Sequence, residues 1–80
     1  MDNKQEKQIF ALIADILGVE DVSEISKNAE FIADLNAGFD EIQKIIKTVE
    51  ERFDIELGLE DPEELVSVSQ LVELVEEAFI

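Results

Sequence analysis

Apolar residues that recur every three or four positions are the feature that most constrains how this 80-residue chain can fold. Near the N-terminus the recurring residues are Ile9, Leu12, Ile13 and Ile16. This spacing places their side chains on one face of a helix. Gly18 follows the last of them and tolerates the positive φ with which many helices end. The pattern predicts a first helix over residues 3–17.

The same periodicity returns in the middle of the chain. Its apolar residues are Ile42, Ile45, Ile46, Val49 and Phe53. Charged residues occupy the other faces of this segment, as is typical of a helix with one buried side. The pattern predicts a second helix that starts between Asn36 and Phe39.

Two further helix starts follow. In Asp61-Pro62-Glu63-Glu64, Asp61 can cap a first turn, and a proline at the first helical position loses no hydrogen bond. This motif predicts a short third helix that ends near Leu65. Ser67 and Gln70 then have the spacing of a capping box, which predicts a fourth helix that runs nearly to Ile80.

The connection between the first two helices is long, and it contains residues that favour turns. Its apolar positions still suggest that it packs on the core, and a connection of this length usually has a specific role. No alternating pattern typical of strands and no internal repeat occur in the sequence. We therefore expect one compact all-α domain over residues 1–80, with four helices and a long first connection.

The charge of the chain limits its partners. Its formal net charge is −15, and no Lys or Arg follows Arg52. Such a charge repels nucleic-acid phosphates and anionic lipids, so we expect neither nucleic-acid nor membrane binding, and a basic protein surface fits better. Acidic surfaces also keep small proteins soluble, which is the simpler interpretation. The polar N-terminus and the lack of a long apolar run predict a cytoplasmic protein, which we expect to be monomeric.

Two residue types needed for much of enzyme chemistry are missing. The chain has no His and no Cys, which removes the commonest general base and the usual zinc ligands. The acidic stretch from Asp54 does not fit a calcium-binding EF-hand loop, because its sixth position is Leu59 and its twelfth is Leu65. We expect neither an enzyme nor a metal site.

Two runs of residues carry a resemblance to a known family. They are Phe31-Ile32-Ala33-Asp34-Leu35 and Glu50-Glu51-Arg52-Phe53-Asp54-Ile55-Glu56-Leu57. In their order and ungapped spacing they resemble acyl carrier proteins, and shorter matches extend the resemblance over nearly the whole chain. The resemblance implies an acyl-carrier-protein-like four-helix bundle with a long loop between helices one and two and a short third helix.

The chain differs from that family at the position of the residue that carries the prosthetic group. Acyl carrier proteins have an Asp-Ser-Leu triplet at the start of helix two, and the serine carries the 4′-phosphopantetheine arm. At the matching positions this chain has Gly38-Phe39-Asp40. A phenyl ring offers no oxygen for phosphoryl transfer, so we expect no cofactor. Phe39 has two interpretations, a core residue beneath the first turn or an exposed aromatic that anchors a partner protein.

The acidic residues that flank helix two are the other candidates for partner docking. With Phe39, the predicted docking residues are Asp40, Glu41, Glu50, Glu51, Asp54 and Glu56. The resemblance implies a helix two that is acidic along its length, and here Lys44, Lys47 and Arg52 interrupt that charge.

Three functional hypotheses remain open. The first is a carrier-fold protein without its arm that docks non-covalently to a biosynthetic enzyme, of acyl, fatty-acid or polyketide type, or to another basic partner. The second is an ordinary acyl carrier protein, either divergent or altered at the site, that carries acyl groups in fatty-acid or polyketide synthesis. The third is a small lipid-binding module with a cavity lined by Ile42, Ile46, Val49, Leu57, Leu65 and Val72.

Overall fold

Residues 3–78, which this computed structural model describes, form three α helices and two short 3-10 turns. The helices are α1 (Asn3–Leu17), α2 (Phe39–Phe53) and α3 (Val68–Ala78), and the turns are Val22–Glu24 and Pro62–Glu64. The predicted all-helical fold is confirmed for this part of the chain. Residues 79–80, towards which we predicted the last helix to extend, lie outside the described residues.

The predicted short third helix is a single 3-10 turn, so the described chain has three α helices rather than four. Leu65 donates its N–H to the Pro62 carbonyl at 3.1 Å and then adopts an extended conformation, with φ −95° and ψ 105°. The chain leaves the helical region here because Val66 accepts a hydrogen bond from the N–H of Phe31, at 2.9 Å. A longer helix would break that contact.

The C-terminus of α1 follows the prediction. Gly18 has φ +74°, and the N–H of Val19 donates to the carbonyl of Ala14 at 2.9 Å. This six-to-one hydrogen bond is the Schellman arrangement, in which glycine takes the left-handed position without steric cost.

The core is one cluster of apolar side chains from all three helices and the connections. Its fully buried members include Ile9 and Ile13 of α1, Ile42 of α2 and Leu71 of α3. Phe31, from the first connection, is the largest fully buried side chain in the described chain. The long connection therefore supplies part of the core as well as joining two helices.

Backbone hydrogen bonds attach this connection to the segment before α3. Glu30 and Ser67 form an isolated antiparallel bridge, in which Phe31 donates to Val66 and Val68 donates to Ala29 at 3.0 Å. The bridge links the connection between α1 and α2 to the segment before α3, across a large separation in sequence.

Two side chains stabilise the segment between α2 and α3. The Glu64 carboxylate accepts hydrogen bonds from the N–H groups of Asp61 and Glu60, at 3.0 and 2.7 Å, and these bonds lower its pKa. Because the folded pKa is lowered, this contribution to stability is present above the unfolded pKa and is lost as the pH falls through the folded value. The Gln70 amide accepts from the N–H of Val66 and donates to the carbonyl of Glu64, both at 2.7 Å.

None of the helices within residues 3–78 is long and apolar enough to cross a membrane.

Candidate functional site

The N-terminus of α2 presents an aromatic side chain to solvent. Phe39 is the first residue of this helix and is 47% exposed, so the interpretation of Phe39 as a core residue is wrong. Gly38 precedes it in an extended conformation, with φ −86° and ψ 167°, and accepts the first helical hydrogen bond from Ile42 at 3.0 Å. Phe39 lies three residues before Ile42, the first buried residue of α2, and two residues after the buried Ala37.

Two of the predicted docking acids accept hydrogen bonds from backbone N–H groups. The Glu41 carboxylate accepts a hydrogen bond from the N–H of Gly38 at 2.9 Å and so caps the start of α2. The Glu50 carboxylate accepts from the N–H of Leu57 at 3.0 Å, beyond the end of the helix. Both side chains are half-buried, and their first role is to fix the ends of α2.

The exposed face of α2 carries alternating bands of charge. Asp40 and Glu51 lie at its ends and Lys44 and Lys47 lie between them. Together with Gln43 and Thr48 they line an open depression of about 390 Å³ on the side of the helix opposite the core. A partner that docks along this face meets an acid, two bases and then an acid.

The remaining predicted docking acids follow the end of α2. Asp54 is exposed and occupies the left-handed position after the helix, with φ 55°, and Glu56 is exposed two residues later. The N–H of Ile55 donates to the carbonyl of Glu50 at 3.1 Å, which closes this turn. The turn therefore holds Asp54 and Glu56 at the surface.

Every hydroxyl group of the chain lies away from the start of α2 and makes a local hydrogen bond. The hydroxyl-bearing residues are Ser23, Ser26, Thr48, Ser67 and Ser69. The Thr48 hydroxyl donates to the Lys44 carbonyl at 2.7 Å inside α2, and the Ser67 hydroxyl accepts from the N–H of Gln70 at 3.2 Å. No hydroxyl is positioned at the helix start for attack on a phosphate.

The residues proposed to line a lipid cavity lie in the core instead. All six are buried, and all belong to the one apolar cluster. Ile46 alone of the six also borders a small pocket of about 140 Å³ beside Pro62, whose other lining residues are mostly polar. Acidic residues within 3–78 form no cluster of three or more that could hold a metal ion.

Comparison with known proteins identifies the family. The chain is 40% identical over 67 residues to the acyl carrier protein of Chlamydia felis, which covers 84% of this chain and 85% of that protein. It is 38% identical over 73 residues to the acyl carrier protein of Buchnera aphidicola, covering 91% of each. The acyl carrier protein of Akkermansia muciniphila is 37% identical over 75 residues, which covers 94% of this chain and 92% of that protein. The chain belongs to the acyl carrier protein family. No protein-family model matches it.

Sequence reasoning about this acyl carrier family member missed three groups that shape the site. The sequence predicts docking roles for Glu41 and Glu50; the signal for the observed role of Glu41 is its position three residues after Gly38, which is the spacing of a capping box. Nothing in the sequence marks the bond from Leu57 to Glu50, because it depends on the left-handed turn at Asp54. The capping-box spacing predicts only a helix start at Gln70, whereas its side chain also joins α3 to the preceding 3-10 turn.

Replacing Glu50 by Ala should lower the free energy of unfolding by about 1–2 kcal/mol, because the N–H of Leu57 loses its carboxylate acceptor. The matched control is Glu51→Ala, one residue further along the same helix, where the exposed side chain should change stability by less than about 0.5 kcal/mol. Urea unfolding followed by circular dichroism measures both. Equal effects of the two substitutions would contradict a structural role for Glu50.

Proposed function

We propose that this protein is an acyl carrier family member that works without a prosthetic arm, by docking non-covalently to a biosynthetic enzyme of acyl, fatty-acid or polyketide type. The observation that carries the proposal is the exposed phenyl ring of Phe39 at the start of α2, where the family pattern has its arm-bearing serine. A reactive hydroxyl is replaced by an apolar contact group at the same point on the surface.

Covalent loading requires a hydroxyl oxygen that attacks the pyrophosphate of coenzyme A in line with the leaving group. Phe39 has none, and the hydroxyl groups elsewhere in the chain are bonded locally. Under this proposal the protein carries no acyl group on an arm, and the partner enzyme recognises the surface of the folded protein.

Docking would use Phe39 as an apolar anchor and nearby exposed acids as the charged rim. Asp40 and Glu51 on α2 and Asp54 and Glu56 after it are exposed, whereas Glu41 and Glu50 cap the helix ends. A net charge of −15 favours a basic partner surface and opposes self-association, so we propose that the free protein is a monomer.

The ordinary carrier role is the second candidate, and the relatives favour it. Proteins that are 37–40% identical over most of this chain are named acyl carrier protein. Under this hypothesis another hydroxyl would have to accept the arm.

The deciding experiment incubates the purified protein with coenzyme A and a phosphopantetheinyl transferase of broad specificity, followed by intact-mass spectrometry. We expect no mass increase, because position 39 has no nucleophile. An acyl carrier protein with the serine triplet serves as the positive control. A mass increase corresponding to phosphopantetheine on the unaltered chain would overturn the proposal and establish the ordinary carrier role.

A rebuilt triplet tests the correspondence of position 39 to the family serine. The variant combines Gly38→Asp, Phe39→Ser and Asp40→Leu. The backbone accepts Asp at position 38, because a Cβ there meets only Glu41 Oε1 at 3.8 Å and the φ is not left-handed. The helix N-terminus favours an incoming phosphate, so we expect at least partial modification of this variant. Modification of the Gly38→Asp, Asp40→Leu control would place the reaction at another hydroxyl.

A further inference from the structure

Three of the four large apolar side chains that are exposed in the described chain originate from one region of the fold. Ile32 and Val66 are both 52% exposed, and Phe39 is 47% exposed. The fourth, Val22, belongs to the first 3-10 turn. We refer to Ile32, Phe39 and Val66 as the apolar patch.

The backbone of Phe31 brings the three segments of the apolar patch together. Its N–H donates to the carbonyl of Val66 at 2.9 Å, and its carbonyl accepts from the N–H of Ala37 at 2.8 Å. Ile32 is the next residue after Phe31, and Phe39 lies two residues after Ala37. With 3.8 Å between consecutive Cα atoms and about 5 Å across a hydrogen-bonded pair, every patch Cα lies within ~13 Å of that of Phe31.

The anchor of this arrangement is rigid. The side chain of Phe31 is fully buried, and the side chain of Ala37 is buried as well. The backbone hydrogen bonds of Phe31 therefore hold the segments of the patch beside a core residue, next to the bridge between Glu30 and Ser67.

Several acidic residues lie close in sequence to the residues of the apolar patch. Glu30 forms the antiparallel bridge with Ser67, and its N–H donates to the Asp34 carboxylate at 2.8 Å. Asp40 follows Phe39, and the Gln70 amide joins the backbone carbonyl of Glu64 to the N–H of Val66. The carboxylates of Asp34 and Glu64 accept backbone hydrogen bonds, so they add formal negative charge here, whereas Asp40 and Glu30 are the exposed acids nearest the patch in sequence. No Lys or Arg lies between residues 28 and 43 or beyond residue 52, so these segments contain acids and no cation; the first cation after Phe39 is Lys44, which lines the depression on α2 together with Asp40.

We propose that the apolar patch binds an amphipathic basic helix of a partner protein, with apolar side chains against Ile32, Phe39 and Val66 and Lys or Arg opposite these acidic residues. This inference rests on the proposed docking function and specifies the chemistry of the partner. A second copy of the chain is a poor occupant because it brings the same acids to the interface, and an anionic lipid surface is repelled for the same reason.

The test uses a synthetic amphipathic peptide with Leu on one helical face and Lys on the others, titrated into the ¹⁵N-labelled protein and followed by NMR. We expect shifts concentrated at residues 30–40 and 64–67. The triple variant Ile32→Gln, Phe39→Gln, Val66→Gln should bind about tenfold more weakly or worse, as for loss of a central apolar anchor. The matched control is Val22→Gln, which removes an exposed apolar side chain elsewhere and should change the Kd less than about twofold.

Two control ligands separate the apolar and charged contributions. A peptide of the same composition in shuffled order keeps the charge but has no apolar face, and a peptide with Glu in place of Lys keeps the face but reverses the charge. Both should bind much more weakly than the amphipathic basic peptide. Equal binding of the shuffled peptide, or an equal loss in the Val22→Gln variant, would overturn the proposal, as would binding to neutral phosphatidylcholine vesicles but not to the peptide.

The outcome is independent of the loading experiment. If the chain binds the peptide through the patch and is also modified by the transferase, the patch proposal holds and the proposed arm-less function is wrong. If the chain is not modified and does not bind the peptide through the patch, the proposed arm-less function holds and the patch proposal is wrong. Docking would then use another surface, such as the exposed face of α2.

Discussion

Replacing Phe31 by Ala should lower the free energy of unfolding by about 3–5 kcal/mol, whereas replacing Phe39 by Ala should lower it by about 1 kcal/mol or less. Phe31 is fully buried and its backbone joins the bridge at Val66 to the turn at Ala37. The substitution leaves a cavity in the core, and neighbouring helices can close it only in part. A loss of this size is a large fraction of the 5–15 kcal/mol typical of small domains.

Phe39 makes a matched control of the same residue type, because it is 47% exposed at the first turn of α2. Its truncation removes few core contacts, and alanine is the better helix former. Urea unfolding at equal protein concentration measures both variants. A loss for Phe39→Ala as large as that for Phe31→Ala would show that position 39 belongs to the core, which would remove the basis of both docking proposals.

The helix pattern explains why so much of the fold could be predicted from the sequence. The bounds of α1 agree with the predicted 3–17, because an apolar face of regular spacing ends at a glycine that can turn the chain. The start of α2 at Phe39 also falls within the predicted range.

The errors arise where long-range contacts decide the conformation. Asp61 and Pro62 do start a helical turn, but the bridge to Phe31 draws the chain into an extended conformation after Glu64. The exposure of Phe39 could not be predicted from its position on the helix, because it depends on where the core ends relative to α2. Periodicity identifies the buried face of a helix but not how far along the helix burial extends.

The formal net charge of −15 should make the thermal stability of this protein depend on salt concentration. The melting temperature should rise by at least about 5 °C between 0.01 and 0.5 M NaCl, because 1 kcal/mol of relieved repulsion corresponds to about 4–8 °C in a domain of this size. The screening length is ~30 Å at 0.01 M salt and ~10 Å at 0.1 M. The protein measures 30 × 27 × 19 Å, so at the lower salt concentration its acids repel one another across the entire molecule.

Most of the rise should therefore occur below about 0.1 M salt, where the screening length falls beneath the dimensions of the protein. Sodium chloride is the appropriate salt, because sulfate would strengthen apolar burial as well. Glu63→Gln with Glu73→Gln removes two exposed acids and should flatten the salt dependence, while Lys7→Gln removes an exposed base and should steepen it. A melting temperature that is flat in the native chain would mean that its 21 acidic residues are spaced widely enough to be tolerated without screening. In that case the acids would act on a partner's approach without straining the fold that carries them.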